Sequence, residues 1–127
     1  MDFRLEVVVV PVSDVDRAKA FYRDNAGFTA DHDTRIGDEK RIVQLTPTGS
    51  ACSIAIGTHP PLPDMAPGSV RGLQLVVADI AAARSELLDR GLEVSEIEEL
   101  GAPGRSTVKF AHFRDPDGNS WALQEEI

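Results

Sequence analysis

His112, Phe110, Gln74 and Gln124 are the side chains through which this chain could act on a small molecule. An imidazole can donate, accept or exchange a proton near neutral pH. A phenyl ring can stack on a planar group or simply pack in a wall. Two amides can hold the polar edge of a ligand, or pair with each other or with water. Other candidates point away from chemistry. His32 stands between Asp31 and Asp33, but along a strand the carboxylates point one way and the imidazole the other. A solvated hairpin edge follows. His59 lies in a proline-rich stretch, as a solvated loop residue or one that closes over a ligand. Cys52 is the sole cysteine and is expected to face the helices as an inert thiol. The sequence contains no Gly-rich phosphate loop, nucleophile elbow or Cys/His metal cluster.

Those residues need a scaffold, and the chain states it twice. Val10-Pro-Val-Ser-Asp14 opens a helix ending near Gly27, and Leu75-Val-Val-Ala-Asp79 opens one ending near Gly91, 65 residues on. Leu45-Thr-Pro-Thr-Gly49 and the residues to Ile54 match Arg114-Asp-Pro-Asp-Gly118 and the residues to Leu123, 69 residues on. In each half an apolar strand precedes an Asp that can cap a helix. Two further strands and a turn with Pro and Gly follow, then a last strand. The expected order is β-α-β-β-β, repeated. The first strand is expected over Leu5–Val12, covered on both faces. A strand is also expected over Leu92–Ile97. The modules are placed at residues 1–57 and 72–127 of a single 127-residue domain. Between them, residues 58–71 form a proline-rich linker or lid.

Composition narrows the partners. The formal net charge of −8 disfavours nucleic acid and anionic membrane, which call for a basic surface. One cysteine permits no internal disulfide. No stretch is apolar for long enough to span a bilayer as a helix, and the N-terminus lacks the pattern of a secretion signal. A cytoplasmic protein is expected.

At Pro11-Val-Ser-Asp14, Arg17-Ala18, Phe21-Tyr22, Gly27-Phe28 and Phe113-Arg-Asp-Pro-Asp-Gly-Asn119, the chain resembles the vicinal oxygen chelate superfamily. Glyoxalase I, bleomycin-resistance proteins and extradiol dioxygenases belong to it. The resemblance covers almost the whole chain and implies an α+β fold. Two tandem βαβββ modules would form a cup-shaped mixed sheet around a shared cavity. It also implies a homodimer, since the edge of each half needs covering. Metal-dependent members hold one divalent ion with four side chains from strands of both modules. Carried over by register, those positions are Val7, Ser53, Gly72 and Ala122. Only Ser53 has a donor, and a neutral hydroxyl is a poor ligand. No cofactor is therefore expected, and no divalent metal. In the extradiol dioxygenases an active-site Tyr or His projects from the position of His112, ten residues before the last metal ligand.

Alternation then assigns the faces. The concave face takes Val7, Val9, Ser53, Ala55, Gly72, Gln74, Val76, Ala122 and Gln124, with Phe110 and His112 on the adjoining strand. Arg41 matches Phe110 when the repeat is laid over itself, and could bind an anionic ligand or stand solvated near the hairpin end. The opposite face is uniformly apolar, as packing beneath helices requires. The expected function is binding of a small organic molecule in an apolar cavity with a few amides and one imidazole. The alternative is a glyoxalase-type lyase, isomerase or dioxygenase. That activity would use an unconventional metal site or acid–base chemistry at His112.

Overall fold

A computed structural model describes all residues of the chain except 103, 105 and 106. The first half forms β1 (Val7–Val9), α1 (Val15–Ala20), β2 (Thr29–Ile36), β3 (Lys40–Thr46) and β4 (Ser53–Gly57). The second forms β5 (Leu73–Val77), α2 (Ile80–Asp89), β6 (Glu98–Leu100), β7 (Val108–Arg114) and β8 (Ser120–Glu125). Each half is a four-stranded mixed sheet, ordered β1-β4-β3-β2 and β5-β8-β7-β6. In each, the first and last strands run parallel and the others antiparallel. This is the expected α+β architecture of two βαβββ modules.

The repeated Asp residues act as read. Asp14 Oδ1 accepts from Arg17 N–H at 3.1 Å, and Asp79 Oδ1 accepts from Ala82 N–H at 3.1 Å. Each satisfies an orphan donor in the first helical turn. Beyond Ala20 the first helix widens into a π-helical turn over Phe21–Asn25. The buried Tyr22 sits there, stacked on Phe28. Gly27 and Gly91 follow the helices at φ 79° and 87°, the left-handed geometry that favours glycine at a helix end.

Register confirms the split of faces on four strands. Val7 pairs with Ser53 and Val9 with Ala55, while Gln74 pairs with Ala122 and Val76 with Gln124. Ile54, Ile56, Leu123 and Trp121 take the other face and are buried. The first strand is shorter than expected and one of its faces is open: Val7 is 39% exposed. Leu92–Ile97 is not a strand. Leu92 and Val94 are buried there, but β6 begins only at Glu98.

Two compact units emerge, residues 1–70 with 115–119, and residues 71–114 with 120–127. The Asp115-Pro-Asp-Gly-Asn119 turn thus belongs to the first unit, although β7 and β8 flank it. Tyr22 Oη donates to Asp115 Oδ2 at 2.7 Å in a buried contact. Asn119 Nδ2 donates to the Pro11 carbonyl at 2.8 Å and to Asp115 Oδ2 at 2.7 Å. Ser13 Oγ donates to Asp117 Oδ1 at 2.6 Å. The stretch 58–70, expected as linker or lid, is anchored within this unit, where Val70 N–H donates to Asn119 Oδ1 at 3.1 Å.

Candidate functional site

The open face of the second sheet carries a cavity of about 340 Å³. Gly72 and Gln74 on the β5 side, Phe110 and His112 on β7, and Ala122 on β8 line it. They meet because His112 pairs with Ala122, which pairs with Gln74, so three neighbouring strands present one row. Phe110 is half-buried, whereas Gln74 and His112 are exposed. Gly72 adds space: a Cβ there would meet nothing within 4 Å. Gln124 sits directly opposite Phe110 on the same face, just outside the lining. An aromatic ring flanked by an imidazole and amides can hold a planar molecule and read its polar edge.

Glu98, Leu100, Ser120 and Trp121 also line the cavity and carry no sequence signal for the site. Glu98 and Leu100 belong to β6, where Glu98 pairs with Phe110. Glu98 lay within an acidic run that reads as a solvated edge. It is an edge, but its strand borders the cavity. Ser95 is a further residue of the site without a sequence signal. Its N–H donates to the His112 carbonyl at 2.9 Å, and its Oγ accepts from the His112 N–H at 2.8 Å. These two bonds fix the His112 backbone where β6 does not reach. Arg84 of α2 holds Ser95 in turn, its Nε donating to the Ser95 carbonyl at 2.7 Å.

In the first unit, Ser53 is only 5% exposed, and its hydroxyl lies 2.6 Å from Thr46 Oγ1. Thr46 also donates to Asp31, which completes a chain of three side chains. Val7 and Val9 share the face of Ser53 through the β1–β4 register. His32 is exposed and pairs across the strands with Gln44. Cys52 is half-buried, with Sγ 3.6 Å from the Ser53 carbonyl.

Arg41 is not on that face. It is 8% exposed and turned toward α1, where Nη1 lies 2.6 Å from Asp16 Oδ1. Its Nε and Nη2 bond the two oxygens of Asp33 at 2.8 and 2.7 Å, and Lys19 reaches Asp33 at 2.8 Å. The reason lies in the turns. Ile54 pairs with Leu45, but its repeat mate Leu123 pairs with Ala111. The two hairpins differ by three residues, so the offset that relates β4 to β8 fails between β3 and β7. An odd error reverses the face of a strand residue. Gln44, not Arg41, is the mate of Phe110. The hydrogen bonds from Arg41, and next those from Lys19, hold the Asp33 carboxyl well below the usual carboxylate range. The same guanidinium lowers Asp16.

The residues at the four carried-over metal positions do not fit a divalent ion. Val7 and Ala122 have no donor, Gly72 has no side chain, and the Ser53 hydroxyl is engaged with Thr46. Among the described residues, no group of three or more His, Cys, Asp or Glu side chains is placed to hold a metal.

Fold and site together define a class. The chain belongs to the Glyoxalase/Bleomycin resistance protein/Dioxygenase superfamily, whose model matches residues 4–123. Among solved structures it is similar to TnmS3, an antibiotic binding protein from Streptomyces sp. CB03234, with 32% identity and a TM-score of 0.78 over 99% of this chain and 98% of that one. A glyoxalase/bleomycin resistance protein from the same organism is 34% identical, with a TM-score of 0.73 over 94% of this chain and 98% of that one. A superfamily member from Sphaerobacter thermophilus is 28% identical, with a TM-score of 0.78 over 98% of both chains.

Proposed function

We propose that this protein binds a small, planar organic molecule on the open face of its second sheet, without a metal ion. The observation that carries the reading is the cavity in which Phe110, His112 and Gln74 converge. Phe110 offers a stacking surface, and His112 and Gln74 offer hydrogen bonds at its edge. The similarity to an antibiotic binding protein supports the same reading and suggests antibiotic-like ligands. No helix among the described residues is long and apolar enough to cross a membrane, which accords with a cytoplasmic location. A homodimer is part of the proposal, because among the described residues β1 and β5 are edge strands with one side unpaired.

Native mass spectrometry of untagged protein from its own host, with elemental analysis of the same sample, tests this. A retained organic molecule without stoichiometric metal is the expected result. One divalent ion per chain would overturn the metal-free reading. It would favour a glyoxalase-type lyase, isomerase or dioxygenase instead, with His112 placed for acid–base work. Sedimentation of the native protein at twice the mass of one chain is expected if it pairs.

A further inference from the structure

A second cavity, of about 390 Å³, lies wholly within the first unit. One wall is the chain leaving β1, from Val9 to Val15, and the other is the proline-rich stretch after β4. That stretch is fixed at both ends. Thr58 N–H donates to the Arg41 carbonyl, and Thr58 Oγ1 accepts from Arg41 N–H, each at 2.9 Å. Gly68 N–H donates to the Pro11 carbonyl at 3.4 Å. Gly68 has φ +81°, and a Cβ there would stand 2.2 Å from the Asp117 carbonyl oxygen. Only glycine allows this docking.

The lining has an apolar part and an acidic part. Val9, Val15, Leu62 and Met65 supply the first. Glu39 and Asp64 supply the second, with His59 Nε2 lying 3.4 Å from Asp64 Oδ1. Glu39 makes no ion pair or hydrogen bond among the described residues. Among the described residues, no lysine or arginine lines the cavity. Arg17, which approaches through Ser13, is held by Ser13 Oγ at 3.3 Å and by Asp117 at 3.6 Å. The volume is that of a small-molecule pocket, and the net charge of −8 draws cations to the surface.

We propose that this cavity is a separate binding site for a small organic cation: an amine whose hydrocarbon or aryl body lies against Val9, Val15, Leu62 and Met65. Its ammonium group meets the carboxylates of Glu39 and Asp64. The proposal is independent of the site on the second sheet, since no described residue lines both cavities.

Titration of the 15N-labelled full chain with phenethylammonium tests it, with 2-phenylethanol and 3-phenylpropionate as neutral and anionic controls. Phenethylammonium is expected to shift the amides of Thr58, Leu62, Asp64 and Met65 saturably, and 3-phenylpropionate to leave them in place. Glu39→Gln and Asp64→Asn are each expected to weaken the amine about three-fold, the scale of one exposed charge pair. Both positions are exposed, and unchanged amide dispersion would show that the variants fold. Equal shifts with all three probes would overturn the proposal, as would full affinity in the double variant. Shifts confined to Gln74, Phe110 and His112 would overturn it too, while leaving the second-sheet site standing.

Discussion

His112 stands at the centre of a row in which each neighbour has a different chemical task. Replacing it with alanine removes one hydrogen-bonding group from the second-sheet cavity. Affinity for the retained molecule should fall about ten-fold, the worth of a single bond to a ligand. Phe110→Leu keeps apolar volume and removes the ring, and a loss of about five-fold is expected if a planar group stacks there. Calorimetric titration of both variants separates the two contributions. If Phe110→Leu binds as the parent does, the ring is cavity wall and nothing more. Gln74 and Gln124 were legible in sequence as polar residues on an apolar face, and the register places them there. Ser95 was not legible, because its part is played through the backbone of His112.

At the scale of elements, the first sheet and its helix are joined by charge as well as by packing. Arg41 links β3 to Asp33 on β2 and to Asp16 on α1. Arg41→Met keeps most of the volume and leaves Asp33 with Lys19 alone. A loss of about 2 kcal/mol is expected by urea unfolding, below the range for a fully buried pair because Asp16 is wet. The pH dependence has a definite sign. The Asp33 carboxyl is held below its unfolded value, so its contribution is present above about pH 5 and is lost as pH falls below about 4. Asp33→Asn should therefore narrow the stability difference between pH 7 and pH 3, measured by the same unfolding. This network was hidden from sequence by arithmetic rather than by chemistry. The repeat offset held along β4 and β8, where Ser53 and Ala122 take matching faces. It failed across a hairpin three residues shorter, and Arg41 changed sides. The stretch from Leu92 to Ile97 misled differently. Leu92 and Val94 are buried and give an apolar alternation, but among the described residues the stretch pairs with neighbouring strand backbone only at Ser95, which bonds the His112 carbonyl.

At the scale of the whole molecule, the repeat predicted two modules of one strand order, and each half forms a four-stranded sheet of the matching order. The units of packing are less equal. In sequence the Asp115–Asn119 turn reads as hairpin chemistry only, yet the Asp115 and Asn119 side chains are buried, bonded to Tyr22 and Pro11. Tyr22→Phe removes one donor to a buried carboxylate and should cost about 1–2 kcal/mol in urea unfolding. Gly68→Ala should cost more than about 2 kcal/mol, since it adds a left-handed φ to a clash with backbone. Retention of the parent's midpoint by Gly68→Ala would show that the 58–70 stretch is not held as described.

The insertion of that turn has a consequence for how the chain is made. Synthesis proceeds from the N-terminus, and early domains usually close while later ones are still being added. Here the first unit lacks five of its residues until position 119 of 127 has been joined. Until then Tyr22 has no Asp115 to bond, and the Pro11 carbonyl no Asn119. A truncated product ending before the turn would lack the bonds that Asp115 makes with Tyr22 and Asn119 with Pro11, a ready mark for proteases of an unfinished chain.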